Sequence, residues 1–266
     1  MSRNTNGEHN TQVRAFTPQE EVSLRVPTGI KGFDELISGG LIKGKTFLLA
    51  GETGTGKTVF SLRFLLTGIE ANEPALYVPF DETIEGTVEG ALSLGWDLME
   101  PIQEGLLRIL DVRPFFAEVV REKFMAEVVR QVVTELKRHA DEIGAKRIVV
   151  DPVAPLLGEA IDVSWTRDYI RSFVNAIEKF IGATTIITSE IPTGVDSLSR
   201  FGVEEFLASG IIKLNILSVG FRNLRTITVR KMRWTRVDLT PHVFEIKPID
   251  GVVVGPPVNE YLRSLG

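Results

Sequence analysis

The sequence contains no cysteine, only three histidines and no long apolar run. Without cysteine, disulfide bonds and thiolate metal sites are excluded. The histidines, His9, His139 and His242, are too isolated to form a pair at metal-ligand spacing. No apolar run approaches the ~18 residues that a membrane-spanning helix requires. Residues 1–21 are polar and lack the apolar core of a secretion signal. We therefore expect a cytoplasmic protein with no membrane partner, in which residues 1–21 form a disordered polar tail.

The charge balance argues against a general surface for binding nucleic acid. The 266 residues carry a formal net charge of −5 at pH 7. This charge gives no overall basic field for a polyanion, although a local basic patch remains compatible with it. Hydrophobic residues make up 43% of the chain, which is enough for the core of one large domain. Because the sequence has neither an internal repeat nor a recognisable linker, we assign residues 22–266 to a single domain.

One motif points directly to a ligand. The run Gly51-Glu52-Thr53-Gly54-Thr55-Gly56-Lys57-Thr58 matches G-x-x-x-x-G-K-[ST], the phosphate-binding loop of P-loop nucleotide hydrolases. Its glycines let the backbone curl so that successive N–H groups face phosphate oxygens. Lys57 adds a positive charge toward the β- and γ-phosphates, and the Thr58 hydroxyl is a ligand for Mg²⁺. An apolar strand-like run precedes the loop and a helix-like run follows it, so the motif predicts that the chain binds MgATP or a related triphosphate.

Strand-like and helix-like segments alternate through most of the chain, as in an α/β domain with a mainly parallel sheet. Strands are predicted at residues 45–50, 75–80, 107–112, 147–151 and 183–191, and helices at 59–66, 83–95, 115–143 and 170–181. From Gly210 onward, consecutive strands at 211–217, 224–234 and 243–246 predict an antiparallel extension of the sheet. The predicted fold is an α/β P-loop NTPase core flanked by helices, with an antiparallel C-terminal extension.

Carboxylates follow two of the predicted strands at the edge where ligands bind in open α/β sheets. Asp151 ends the apolar strand 147–151, and it suits the acid that holds Mg²⁺ in P-loop enzymes. A helix cap or a turn before Pro152 is the alternative. Asp81 and Glu82 end the strand 75–80, where one of them could activate the attacking water. Both acids also suit the start of the next helix, so the spacing leaves this choice open; we favour Glu82 as the base, with Asp81 assisting.

Two cations lie close together near the C-terminus. Strict strand alternation would make Lys231 and Arg233 project from the same face, roughly 6.7 Å apart. Two cations at that separation can converge on one phosphate group. Charged side chains on an edge strand also discourage aggregation, and the pattern alone does not decide between the two roles.

Together, these motifs resemble the RecA superfamily and most closely its KaiC-like ATPases, over about residues 26–254. Residues 27–40 are similar to the opening signature of the family, 77–82 to its paired-acid strand, 149–153 to its second magnesium motif, and 202–212 to a further typical segment. The most specific motif is Lys231-Met232-Arg233. The resemblance implies a RecA-like core that binds ATP and Mg²⁺, and in which Asp81 and Glu82 are the catalytic carboxylates. It also implies that Lys231 and Arg233 reach the γ-phosphate of a neighbouring subunit's ATP, and hence a ring, usually a hexamer.

The sequence departs from the family pattern at four positions. Trp234 and Val237 stand where the family usually has a glycine and a histidine. Glu205 and Phe206 occupy the places of the hydroxyl pair that is phosphorylated in the kinase lobe of the clock protein. Neither side chain accepts a phosphate as Ser or Thr does, so the resemblance favours slow ATP hydrolysis over self-phosphorylation. Clock proteins of the family usually carry two such lobes, so a circadian role does not follow.

Three functions remain open from the sequence. The first is a ring-forming ATPase that hydrolyses MgATP between subunits, with Lys57, Glu82, Lys231 and Arg233 in the catalytic roles. The second is a RadA-type recombination or repair paralogue that binds DNA through the segment 192–200, although the charge does not indicate DNA. The third is an ATP-gated module that signals through a protein partner, which the sequence does not name.

Overall fold

The computed structural model describes residues 24–112, 125–153, 163–191 and 208–265. The described strands are β1 (Arg25–Val26), β2 (Leu41–Ile42), β3 (Thr46–Gly51), β4 (Ala75–Pro79), β5 (Leu107–Ile109), β6 (Arg147–Asp151), β7 (Thr184–Glu190), β8 (Gly210–Val219), β9 (Arg222–Met232), β10 (His242–Lys247) and β11 (Gly251–Pro257). The described helices are α1 (Lys57–Glu70), α2 (Ile84–Ser93), α3 (Met99–Gln103), α4 (Met125–Ile143), α5 (Val163–Ala176) and α6 (Val258–Arg263). A π-helical turn (Ile177–Ile181) continues α5, and a short 3₁₀ turn (Asp34–Ile37) precedes β2.

Nine of these strands form one sheet in the order β11-β10-β9-β8-β3-β7-β6-β4-β5. Strands β8, β3, β7, β6, β4 and β5 run parallel, whereas β9, β10 and β11 continue the sheet with antiparallel pairings. The prediction of a mainly parallel α/β sheet with an antiparallel C-terminal extension is therefore confirmed. Strands β1 and β2 form a separate two-stranded antiparallel ribbon.

Helices cover both faces of the parallel strands, and strand β3 shows the consequence. Its residues Leu48 and Ala50 pack in the cluster formed with α4 and α5, while Phe47 and Leu49 pack in the cluster formed with α1. A strand that is buried on both faces reads as a continuous apolar run and not as an alternating one. The same cause explains why the run 147–151 predicted β6 with its observed bounds.

A buried cation joins β6 to the first helix. Arg147 is only 2% exposed, and its guanidinium lies 4.9 Å from the centre of the Phe64 ring. Its Nε donates to Glu73 Oε2 at 2.8 Å, and its Nη1 donates to the carbonyl oxygens of Pro27 at 2.7 Å and Phe64 at 2.9 Å. These contacts connect the N-terminal segment, α1 and the central sheet at the sheet edge opposite the P-loop.

Several predicted bounds differ from the observed ones. The strand predicted at 107–112 ends at Ile109, and the helix predicted at 83–95 spans Ile84–Ser93 with Thr83 as its cap. The sequence did not predict β11 because Gly255, Pro256 and Pro257 interrupt its apolar pattern. The polar tail at 1–21 and the segment 192–200 lie outside the described residues. Within the described part of the chain, no helix combines the length and the apolar character needed to cross a membrane.

The strand predicted at 224–234 spans Arg222–Met232 and contains an irregularity that the sequence did not predict. A β-bulge interrupts the pairing of β8 with β9, since Ile212 pairs with Val229 while Ile211 pairs with Lys231. After the bulge, Met232 continues the buried face of β9 and Arg233 lies beyond the last strand residue. The bulge shifts the alternation of β9 by one residue. Lys231 and Arg233 both flank the buried Met232, so their common face stays a prediction.

Candidate nucleotide-binding site

The predicted phosphate-binding loop connects the carboxyl end of β3 to the start of α1, which begins at Lys57. Gly54 and Gly56 have φ angles of 78° and 104°, the left-handed region that residues with a side chain rarely adopt. A Cβ atom at Gly51 would lie 2.7 Å from the carbonyl oxygen of Leu214 on the neighbouring strand β8. The loop therefore requires glycine both for its turns and for its close approach to β8.

The Lys57 side chain is folded onto this loop. It is 8% exposed, and its ammonium donates to the carbonyl oxygens of Gly51 at 2.9 Å and Glu52 at 3.0 Å. Burial lowers the pKa of the Lys57 ammonium, and the charges of Glu190, Asp151 and Asp81 oppose that shift. The loop thus holds a positive charge beside a group of carboxylates.

Asp151 accepts three hydroxyl donors although it is only 7% exposed. Thr58 Oγ1 donates to Asp151 Oδ2 at 2.8 Å and the Tyr77 hydroxyl donates to the same oxygen at 3.0 Å. Thr188 Oγ1 donates to Asp151 Oδ1 at 2.5 Å. Burial, followed by the charge of Asp151, raises the pKa of Tyr77 well above its usual value, so the phenol keeps its proton. The contacts fix a hydroxyl and a carboxylate, two oxygen ligands of the kind that Mg²⁺ prefers, at the end of the phosphate-binding loop.

Asp81 and Glu82 lie between β4 and α2, and both are exposed. The next residue, Thr83, is the cap of α2, and its Oγ1 accepts a hydrogen bond from the Gly86 N–H at 2.9 Å. The two acids therefore precede a helix N-terminus, as one of the alternatives predicted. They also line the cavity at the phosphate-binding loop, where the catalytic role of these two residues stays a prediction.

One cavity of about 370 Å³ brings these groups together. Its lining residues are Thr53, Gly54, Gly56, Lys57, Thr58, Val59, Tyr77, Asp81, Glu82, Asp151, Pro152, Glu190 and Ile246. Carboxylates from the ends of β4, β6 and β7 thus meet the phosphate-binding loop at a single edge of the sheet, as the rule for open α/β sheets predicts.

Four residues of this site were not predicted in these roles. Tyr77 and Thr188 hold Asp151, Glu190 accepts a hydrogen bond from Thr53 Oγ1 at 3.1 Å, and Ile246 borders Gly56. Glu190 was detectable, because it lies at the carboxyl end of the predicted strand 183–191, as Asp151 lies at the end of its own strand. The contacts of the other three depend on which strands are neighbours, and no local pattern reveals that order.

Lys231 and Arg233 lie at the opposite end of the sheet from the loop. Met232 pairs with Gly210, which in turn pairs with Phe47 near the start of β3. From Phe47 to Gly51 the strands rise by about 13 Å, at ~3.3 Å per residue. The Lys231 ammonium donates to the carbonyl oxygen of Ala208 at 2.9 Å, and Ala208 lies farther from the loop than Gly210 does. The Arg233 side chain is exposed. The two cations therefore do not join the cavity of their own chain.

Comparison with known proteins identifies relatives that match most of this chain. A model of the family "ATPase: KaiC" matches residues 26–259. The circadian clock oscillator protein KaiC of Thermosynechococcus vestitus is 33% identical over 225 residues, which are 82% of this chain and 42% of that protein. The corresponding protein of Synechococcus elongatus is 33% identical over 237 residues, 88% of this chain and 43% of that protein. This chain therefore spans less than half of the length of these two relatives.

A solved structure matches the fold itself. The KaiC-like protein of the hyperthermophilic archaeon Pyrococcus horikoshii OT3 superposes with a TM-score of 0.75 and is 36% identical. The match covers 87% of this chain and 99% of that chain, so both have one KaiC-like domain of the RecA fold. The resemblance predicted from the motifs is confirmed, and the chain belongs to the KaiC family of ATPases.

Proposed function

We propose that this chain binds MgATP and hydrolyses it at interfaces between copies of itself that are arranged in a ring. The observation that carries the proposal is the single cavity in which the phosphate-binding loop faces Asp81, Glu82 and Asp151. Carboxylates at the ends of neighbouring strands are the groups that a P-loop enzyme needs for Mg²⁺ and for water activation.

The loop would hold the nucleotide through its backbone N–H groups and the Lys57 ammonium, which is already held at the cavity. Thr58 and Asp151 would hold Mg²⁺, since their oxygens lie together at the end of the loop. The ion, when bound, neutralises negative charge on the phosphate oxygens. Tyr77 and Thr188 would keep the Asp151 carboxylate in place, because each donates to it from a buried position.

Glu82 would act as the general base, with Asp81 assisting. In the proposed step, the water oxygen bonds to the γ-phosphorus as the bond to the β-phosphate oxygen breaks. Glu82 takes one proton from that water, and ADP and inorganic phosphate are the products. The position of Glu82 in the cavity supports this role.

Lys231 and Arg233 would complete the site of a neighbouring subunit. Their position at the far end of the sheet supports action in trans, since neither cation joins the loop of its own chain. A cation inserted from a neighbour stabilises charge on the transferred phosphoryl group. Each site would then need two chains, and a closed ring lets every chain contribute to two sites. The hexamer implied by the family resemblance is part of this proposal.

We propose hydrolysis and not self-phosphorylation as the output, because Glu205 and Phe206 offer no hydroxyl at the positions phosphorylated in the clock protein's kinase lobe. These two residues lie outside the described residues, so this part of the proposal depends on the sequence.

The test measures steady-state ATPase activity against protein concentration, with light scattering after size exclusion at each concentration. It compares the wild type with Arg233→Ala and with Arg230→Ala, a matched control that removes an exposed arginine from the adjoining strand β9. We expect specific activity to rise with assembly, and Arg233→Ala to assemble but lose roughly 10³-fold in kcat, as finger removal does in related chemistry. Activity independent of assembly, or equal activity of the two variants, would refute the interface site.

A further inference from the structure

The first turn of α2 contains a glycine beside the carboxylate that we assign as the base. A Cβ atom at Gly86 would lie 2.3 Å from Glu82 Oε1 and 3.0 Å from Glu82 Cδ. Both distances are far shorter than a normal contact between these atoms, since carbon atoms in contact stay about 3.5–4.0 Å apart. The Glu82 carboxylate therefore occupies the space that a side chain at position 86 would fill.

No stronger contact fixes the Glu82 side chain in this position. Across residues 24–112, 125–153, 163–191 and 208–265, no hydrogen bond or ion pair holds its carboxylate. By comparison, the Asp151 carboxylate in the same cavity accepts three hydroxyl donors. The position of Glu82 at the cavity thus depends on the open space above Gly86.

The helix itself gives no reason for a glycine at this position. Gly86 does not adopt a positive φ, so an alanine fits the backbone conformation. A glycine inside a helix also costs about 0.5–1 kcal/mol relative to alanine. Gly90, one turn later in α2, carries the same cost, but a Cβ atom there would meet nothing within 4 Å. The steric difference between Gly86 and Gly90 therefore comes mainly from Glu82, with a weaker contact at 3.1 Å to the cap oxygen Thr83 Oγ1.

We propose that Gly86 is a positioning residue for Glu82: its missing side chain lets the carboxylate lie at the cavity, where it can accept the proton of the attacking water. This inference rests on the proposed role of Glu82 as the base. An alanine at position 86 displaces the carboxylate and lies 3.1 Å from the cap oxygen Thr83 Oγ1, but it touches neither the nucleotide-binding loop nor Asp151. Gly86 thus affects the chemical step and not the binding of MgATP.

The test compares Gly86→Ala with Gly90→Ala, since both variants add one methyl group to the same helix. We expect neither variant to unfold at a lower urea concentration than the wild type, because each gains helix propensity. We expect kcat of Gly86→Ala to fall at least ~10-fold below that of Gly90→Ala, because a misplacement of about 1 Å can cost up to ~10²-fold. The KM for MgATP should agree between the two variants within about twofold, because the binding groups are unchanged.

A second arm repeats Gly86→Ala in a Glu82→Gln background. If Gly86 acts through the Glu82 carboxylate, the alanine causes no further loss there, whereas independent effects would add.

Equal kcat values for Gly86→Ala and Gly90→Ala would overturn the inference. A Gly86→Ala protein that unfolds would also overturn it, because displacing the end of a flexible side chain costs little stability. If Glu82→Gln leaves hydrolysis unchanged, the base assignment itself is wrong. If Glu82→Gln abolishes hydrolysis but Gly86→Ala has no effect, only the role of Gly86 is refuted.

Discussion

Thr58 Oγ1 lies 2.8 Å from Asp151 Oδ2, although the two residues are 93 positions apart in the chain. The contact joins the first turn of α1 to the carboxyl end of β6, two strands away from the strand that precedes α1 in sequence. It brings a hydroxyl and a carboxylate oxygen together beside the phosphate-binding loop. Several measurable consequences follow from this contact and from the others around it.

Asp151→Asn should remove the magnesium dependence of nucleotide binding. An amide lacks the negative charge that Mg²⁺ favours in its ligands. We expect calorimetry to show MgATP binding to the wild type at least ~10-fold more tightly than ATP in EDTA, a difference of about 1.4 kcal/mol. The variant should bind both forms alike, while Asp141→Asn, an exposed substitution on α4, should retain the wild-type difference. A variant that still binds MgATP more tightly would contradict the assignment of Asp151.

Lys57→Met should abolish stabilisation by nucleotide without weakening the free protein. Burial lowers the pKa of the Lys57 ammonium, which means that its charged form is disfavoured in the folded chain relative to the unfolded chain. A methionine of similar length removes that penalty. MgATP at 100 times its Kd should stabilise the wild type by about 2.7 kcal/mol in urea unfolding. The same nucleotide should leave Lys57→Met unchanged, and Lys43→Met, at an exposed position, should respond as the wild type does.

Arg147→Ala should be strongly destabilising although the residue lies far from the cavity. The substitution removes the partner of Glu73 and leaves the carbonyl oxygens of Pro27 and Phe64 without their donor. We expect a loss of about 2–4 kcal/mol in the free energy of unfolding, because a buried carbonyl oxygen that loses its donor costs about 1–3 kcal/mol. Arg138→Ala is the control, because its ion pairs with Glu135 and Glu142 are exposed, and it should cost no more than about 1 kcal/mol. Equal losses in the two variants would show that burial of Arg147 contributes nothing specific.

Trp234→Gly should stabilise the chain. Trp234 follows Arg233 with a φ of 55°, a left-handed conformation, while 93% of its surface is exposed. That conformation costs a residue with a side chain about 1–2 kcal/mol, and glycine avoids the cost. Trp234→Ala keeps the strain but loses the indole ring, so Trp234→Gly should exceed it in unfolding free energy by about 1 kcal/mol. If the alanine and glycine variants unfold alike, the strain at this position is absent.

The phosphate-binding loop and β6 were predictable because local patterns determine them. A fixed arrangement of glycines and a lysine specifies the loop, and an apolar run that ends in Asp151 specifies a buried strand. The location of the candidate site followed from the rule that ligands bind beyond the carboxyl ends of parallel strands. None of these steps required knowledge of which strands are adjacent.

The contacts of Tyr77 and Thr188 with Asp151 were not predictable, because they depend on β4 and β7 flanking β6 in the sheet. The irregularity in β9 was not predictable for a different reason. The bulge near Arg230 changes the alternation of β9, and no residue type in that strand marks an inserted residue. The space above Gly86 was also hidden, since a glycine in a helix pattern does not show which side chain fills the place it leaves.

The separation of the cavity from Lys231 and Arg233 by the length of the sheet has a wider consequence under the proposed function. An isolated chain would contribute the phosphate-binding loop to one site and the two cations to another, but it would contain no complete site. The concentration of the protein in the cell would then control the rate of ATP hydrolysis. A subunit that lacks Arg233 would abolish hydrolysis of the ATP bound by its neighbour and not of the ATP bound by its own loop. When the Arg233 mutant is mixed with a mutant that lacks Lys57, the two would form mixed rings. At some interfaces in these rings, the intact loop of one mutant would face the intact Arg233 of the other. Two individually inactive gene products would then restore each other's activity, as in complementation between alleles.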